Sequence, residues 1–167
     1  PYANNGGSNI SGDYPLGTTV VKMSASDKCG NVATCEITVR VEDNKAPAPV
    51  CIVGISAPLF DVSGDATAVV PASTFDGGST DNCTPSEALM LSVRLGDGSG
   101  TTAPQESELV LSCEHIGQAQ LVEFWVTDDA GNSNFCLTYV SVQDNMGVCE
   151  NLMSATGMIA GGIHNEK

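Results

Sequence analysis

Residues 16–44, LGTTVVKMSASDKCGNVATCEITVRVEDN, return one domain length later as residues 116–145, IGQAQLVEFWVTDDAGNSNFCLTYVSVQDN. With one residue inserted before Asp128, Gly17 matches Gly117, Asp27 matches Asp128, and Gly30-Asn31 matches Gly131-Asn132. Cys35 then matches Cys136, and Asp43-Asn44 matches Asp144-Asn145. A period of about 100 residues is that of a domain, not of a solenoid repeat.

Within each copy the side chains alternate. Ile37, Val39 and Val41 stand against Glu36, Thr38, Arg40 and Glu42, the period of a half-buried strand. Val21, Met23 and Ala25 alternate in the same way with Lys22, Ser24 and Ser26. Between the two runs Asp27-Lys28-Cys29-Gly30-Asn31 predicts a tight turn, because Gly and Asn accept positive φ. In the second copy Leu121, Glu123, Trp125 and Thr127 face one way and Val122, Phe124 and Val126 the other. Apolar side chains on both faces predict a central strand covered on both sides. No segment has a helical period bounded by caps; Pro85-Ser86-Glu87 runs directly into alternating Leu91, Val93 and Leu95 and reads as loop into strand. Short strands between Gly, Pro, Asp and Asn turns predict an all-β fold of antiparallel β-sandwich modules.

The chain of 167 residues carries 20 acidic and 6 basic side chains, a formal charge of −14. Lys22, Lys28, Arg40, Lys45, Arg94 and Lys167 cannot neutralise a run of phosphates, which argues against nucleic acid and against anionic membrane surfaces. No apolar run approaches the roughly 18 residues of a membrane span, so no membrane insertion is expected. The first residues lack a basic n-region and an apolar h-region, so any export signal is expected outside this segment.

Seven cysteines, Cys29, Cys35, Cys51, Cys83, Cys113, Cys136 and Cys149, form no C-x-x-C pair, and His115 and His164 are not spaced to complete a zinc set. A disulfide framework fits better and implies an extracellular or cell-surface setting. The odd count requires either a partner beyond the segment or one unpaired thiol. Residues 41–49, with two prolines, read as a linker. Residues 46–145 are then a complete module, and 1–45 the carboxyl half of a preceding one. Residues 146–167 begin a following module, opening with Cys149 as the middle one opens with Cys51. A half-module would otherwise complete itself by strand exchange.

The run Leu-Gly-Thr-Thr-Val…Ser-Asp-x-Cys-Gly-Asn-x-x-x-Cys…Val-x-Val-x-Asp-Asn…Pro resembles the hyalin repeat and the related immunoglobulin-like repeats of large surface adhesins in gliding and filamentous bacteria. Asp76-Gly-Gly-Ser-Thr-Asp-Asn-Cys83 is similar to a mid-repeat signature of those adhesins. The likeness covers roughly residues 14–145. It implies immunoglobulin-like sandwiches in tandem, a disulfide Cys51–Cys136 and a second, Cys83–Cys113. Cys29 and Cys35 would pair outside the segment and Cys149 forward into the next module. The middle module departs from the pattern with Ala130 where the first copy has Cys29. A local Cys29–Cys35 bond is the alternative.

No catalytic constellation emerges. His115 reads as a loop residue, and Asp128-Asp129 and the Glu106/Glu108 pair read as solvated turn and strand-edge carboxylates. Gly96–Gly100 is followed by Thr and Pro, not by a helix, and reads as a hairpin loop. Calcium is the one ligand worth carrying, because hard cations take carboxylate and carbonyl oxygens. Its candidate ligands are Asp43, Asn44, Asp144 and Asn145 at module junctions, with Asp76, Asp81 and Asp128 near one pole. The alternative is that these side chains cap their own turns. Otherwise no cofactor is expected. The expected function is a non-enzymatic repeat of a large secreted or cell-surface protein, a stalk for adhesion. Its expected partners are neighbouring repeats of the same chain, with a carbohydrate or other surface ligand compatible. Two alternatives are a subunit that self-assembles laterally into an extracellular filament, and an accessory module of a secreted enzyme.

Overall fold

The alternation over residues 17–41 folds as two ten-residue strands, β1 (Gly17–Ser26) and β2 (Val32–Val41), paired antiparallel from Gly17↔Val41 to Ser26↔Val32. The coordinates are a computed structural model that describes residues 9–62 and 64–149. The chain divides into two units, residues 1–44 and 45–167. In the first, β1 and β2 form a two-stranded sheet. One of its faces carries Val21, Met23, Ala25, Ile37 and Val39, and the other carries Lys22 paired with Glu36 at 2.9 Å.

The turn between β1 and β2 is closed by Asp27. Its backbone N–H donates to the Asn31 carbonyl (3.0 Å), and its carboxylate accepts the Asn31 backbone N–H (2.9 Å) and side-chain amide (2.7 Å). Gly30 sits at φ 90°, a conformation that a Cβ would strain. The second unit builds the same hairpin from β8 (Ala119–Thr127) and β9 (Ser133–Gln143). Asp128 takes the place of Asp27, Asn132 that of Asn31, and Gly131, at φ 89°, that of Gly30. The pairs Thr18↔Arg40 through Ser26↔Val32 fall on Ala119↔Ser141 through Thr127↔Ser133 at one constant displacement. The sequence repeat is therefore a structural repeat down to its register.

Around this hairpin the second unit adds β3 (Ile55–Pro58), β4 (Phe60–Val62), β5 (Asp65–Pro71), β6 (Met90–Leu95) and β7 (Glu108–Ser112). They form a four-stranded sheet ordered β3-β9-β8-β6 and a three-stranded sheet ordered β4-β5-β7. β8 is interior, as its two apolar faces predict. β3 lies parallel to β9, where an all-antiparallel arrangement was expected. The reason is that the chain leaves β3 for the other sheet through β4, so no hairpin ties β3 to its neighbour. Both sheets contribute to one core, in which Ala66, Ala68 and Leu111 of the smaller sheet meet Val93, Phe124 and Val140 of the larger. Small alanines on β5 let the sheets approach and account for a core with few aromatics.

The expected linker is only partly one. The boundary between the units falls after Asn44, inside the stretch. Beyond it Pro47 is fully buried, its carbonyl accepts the Asn134 side-chain amide (3.2 Å), and Ala48 bridges Thr80. Proline fixes φ and withholds a donor, so it suits an edge bridge as well as a spacer. Residues 85–91 run as expected into β6, after a single 3-10 turn at Ser86–Ala88. The following module expected over 146–167 lies, beyond Cys149, outside the described residues.

Candidate functional site

The acidic loops meet at the end of β8 where the Asp128 turn lies. Asp128 is fully buried, and its two oxygens accept the Asn132 backbone N–H (2.7 Å) and side-chain amide (2.8 Å). Asp81 brings a carboxylate oxygen within 4.8 Å of the Asp128 carboxylate. Its Oδ2 accepts the backbone N–H groups of Cys83 (2.8 Å) and Thr84 (2.9 Å), while its Oδ1 is buried and accepts no hydrogen bond. Those backbone bonds, with the Lys45 charge, hold the Asp81 carboxyl below its ordinary range. The Thr84 hydroxyl accepts the Asp129 N–H (3.1 Å) and ties the two loops together.

Of the other expected calcium ligands in the second unit, Asp76 and Asp144 are spent on turns. Asp76 Oδ1 accepts the Gly78 N–H (3.2 Å), the Ser79 N–H (2.9 Å) and the Ser79 hydroxyl (2.6 Å). Burial acts to raise the Asp76 pKa, and these donors outweigh it, so the net direction is down. Asp144 accepts the Val148 (2.9 Å) and Cys149 (3.0 Å) N–H groups and caps the turn that follows β9; Asn145 lies within that turn. Asp43 and Asn44 follow β2 in the first unit. Within the second unit, then, Asp81 and Asp128 are brought together and could give oxygens to a hard cation, while Asp76 and Asp144 act as caps.

The disulfide frame corrects the pairing that the resemblance implies in one of its two bonds. Cys51 is joined to Cys136, closing a separation of 85 residues. The second bond joins Cys113 to Cys149, not to Cys83, and so Cys149 does not pair forward into another module. Cys83 sits beside the loop that Thr84 ties to Asp129, past the end of β8, whereas Cys113 follows β7 close to the start of β8. The eight residue steps along β8 separate these ends by roughly 27 Å, far beyond disulfide reach. Cys149 is delivered to Cys113 by the Asp144 cap and is buried against the core. Cys83 is exposed and takes the Asn82 amide at 2.8 Å; Cys29 and Cys35 are exposed thiols. Two disulfides mark folding in an oxidising compartment. Among the described residues no helix is long and apolar enough to cross a membrane.

One polar cluster has no counterpart in the sequence reading. Glu123, 1% exposed, accepts hydrogen bonds from Arg94 Nε (2.7 Å), Trp125 Nε1 (3.1 Å), Gly98 N–H (2.9 Å) and Gly100 N–H (3.2 Å). Arg94 adds an ion pair at 2.6 Å and lies 5.4 Å from the Trp125 ring, which itself stacks on Phe135. Burial acts to raise the Glu123 pKa, but the Trp125, Arg94, Gly100 and Gly98 donors prevail and lower it. Gly96–Gly100 is the loop that covers this face of β8, and a Cβ at Gly96 or Gly100 would overlap Glu123. The expected hairpin loop is thus a clamp on a buried carboxylate. In the sequence the glycines at 96, 98 and 100 are more than twenty residues from Glu123, so their meeting is a product of the fold.

His115 caps a turn and lies, through Nδ1, 3.2 Å from the Ser112 hydroxyl, which itself donates to Glu114 at 3.2 Å. Its Nδ1 accepts the Ser112 N–H (3.0 Å) and closes a capping box on the 3-10 turn at Cys113–His115. Glu106 contributes its carbonyl to Val93, a backbone role. No family model matches the chain, and a search of the curated proteins finds no relative.

Proposed function

We propose that this chain is a non-enzymatic structural repeat of a large secreted or cell-surface protein, built of immunoglobulin-like sandwiches in tandem and acting as a stalk for adhesion. The observation that carries the reading is the reiterated hairpin, with the same register and the same Asp–Asn turn in both units. Repetition at domain length serves reach, and covalent closure across 85 and 36 residues limits how far a module extends under load. The charge of −14 keeps like modules from adhering to one another. The use of Asp27, Asp76, Asp128 and Asp144 as turn caps, and of His115 in a capping box, supports a structural rather than a catalytic use of these side chains.

One feature favours the filament reading. The smaller sheet exposes Phe60, Val62, Val69 and Val110, with Val69 directly opposite Val110. An apolar outer face of this kind suits lateral packing of modules. Negative-stain electron microscopy of the native full-length polypeptide separates the two. Thin, flexible single-chain strings support the stalk; filaments of constant width and regular repeat overturn it in favour of lateral assembly. Calcium belongs to this reading at the Asp81–Asp128 end of the second unit, and a melting temperature that chelator leaves unchanged removes it.

A further inference from the structure

The two copies of the hairpin differ in what surrounds them. In the second unit the outer edge of β9 carries β3 in parallel, Ile55–Pro58 against Val140–Gln143. The outer edge of β8 carries β6 antiparallel, Met90–Leu95 against Thr127–Val122. Cys136 is bonded to Cys51, which lies just ahead of β3. The core face of this hairpin is sealed: Val122, Phe124, Val126 and Val140 are 0% exposed. In the first unit the same positions are Val21, Met23, Ala25 and Val39. Val21, Met23 and Val39 are only half-buried, Ala25 is exposed, and Ile37 on the same face is 38% exposed. Within this unit the described strands β1 and β2 pair only with each other, and Cys35, the counterpart of Cys136, is an exposed thiol.

An isolated two-stranded hairpin is marginal in water. This one keeps the length, register, turn and apolar face of a hairpin that elsewhere in the chain is the centre of a four-stranded sheet. We infer that β1–β2 is the closing hairpin of a second two-sheet unit, completed by another segment of the same polypeptide. That segment adds one strand parallel to β2 along Val39–Glu42 and one antiparallel to β1 along Val21–Ser26. It also bonds to Cys35 a cysteine that lies a few residues ahead of the parallel strand. These positions are the counterparts of the β3, β6 and Cys51 contacts.

A second copy of this chain is a poor donor. It would have to surrender its own β3 and β6 and open Cys51–Cys136, dismantling one core to complete another. A donor on the same polypeptide closes the unit intramolecularly, at high effective concentration. Forming the bond takes one proton from each of two thiols and two electrons in all. The electrons pass by thiol–disulfide exchange to a disulfide oxidant of the compartment, which leaves as a dithiol. The inference rests on the reading of sandwiches in tandem proposed above but not on the stalk's role, since a half-unit needs the same completion in a stalk or in a filament.

The test is a disulfide map of the native full-length polypeptide, isolated without reductant, alkylated, and cleaved between its cysteines. The Cys35 peptide is expected to be linked to a peptide of the same polypeptide from outside residues 9–149. Recovery of Cys35 as the alkylated thiol, a Cys29–Cys35 bond, or a bond to a cysteine of the second unit would overturn the inference. A reduction-sensitive dimer through Cys35 would overturn the same-polypeptide donor. Hydrogen exchange on the same full-length material is the second readout. Amides of β2 are expected to exchange within tenfold of those of β9, and exchange near the rate of unprotected peptide sinks the proposal.

Discussion

Replacing Arg94 by Met removes the only cation that contacts Glu123 among the described residues and leaves a carboxylate that is 1% exposed. Removing one partner of a buried ion pair costs about 3–5 kcal/mol, because the remaining charge keeps its desolvation penalty. Two features of the site favour the lower end. The Arg94 side chain is 31% exposed, so part of the pair is already screened by water, and Gly98, Gly100 and Trp125 still donate to the carboxylate. The expected loss is about 3 kcal/mol at pH 7, or roughly a 12 °C fall in Tm for a domain of this size. The pH dependence is diagnostic. In the native protein the Glu123 pKa is depressed, so the group contributes stability above the ordinary Glu value of 4.5 and loses it as pH falls through the folded pKa. Without the guanidinium the desolvation that already acts on Glu123 is less well opposed, and the folded pKa rises. The deficit of the variant is then full at pH 7 and shrinks as the pH falls, with the two proteins converging once Glu123 is protonated in both. Urea unfolding at pH 7, 5 and 4, followed through the Trp125 fluorescence, measures this. A deficit below 1 kcal/mol at pH 7, or one that does not change with pH, refutes the argument.

Asp27→Ala and Asp128→Ala delete equivalent turn bonds in different surroundings, one exposed and one fully buried; in thermal unfolding the second should cost about 2–3 kcal/mol and the first clearly less. Replacing Cys113 and Cys149 together by Ser should cost about 4 kcal/mol, and the Cys51/Cys136 pair slightly more because its loop is longer; denaturant midpoints in that order support the frame, and a peptide map that joins Cys113 to Cys83 rejects it. Asp27, Asp76, Asp81, Asp97 and Glu123 all have pKa values below their ordinary ones, so their stabilisation is complete above about pH 5 and is lost on acidification; a Tm that rises between pH 5 and pH 3 contradicts those hydrogen bonds.

Local features were legible in the sequence. The alternation at residues 17–41 gives both strands of the first unit, and Asp27-x-x-Gly30-Asn31 gives the turn, because those choices act within a few residues. Features that depend on where loops return were not. Nothing near Cys83, Cys113 or Cys149 says which end of β8 each will reach, and the pairing implied by resemblance placed Cys113 at the wrong end. The prolines at 47 and 49 mark a spacer by composition, yet Pro47 is buried, held by the Asn134 amide on its carbonyl and by the Ala48–Thr80 bridge beside it, contacts made by residues far along the chain. Glu123 falls on a strand expected to be covered on both faces, but nothing beside it in the sequence says what satisfies a buried carboxylate there. Its burial follows from the Gly96–Gly100 loop, whose glycines let backbone N–H groups approach the carboxylate.

The repeated hairpin separates what a sequence dictates locally from what its surroundings add. Register, turn bonds and the left-handed glycine are the same in both copies although, among the described residues, only one has neighbouring strands on both edges, so these belong to the hairpin itself. Burial does not transfer. Met23 and Phe124 occupy one position, but only Phe124 is sealed. The polar faces diverge as well: Lys22 and Glu36 form an exposed pair on the first copy, while the corresponding face of the second holds Glu123 under a loop. The first copy retains Val, Met and Ile on the face that would be solvent-exposed if the hairpin stood alone, at a cost in solubility that a free ribbon has no reason to bear. That face is the one the completed unit inferred above would cover, and Cys35 is the point at which the inferred segment would be fastened.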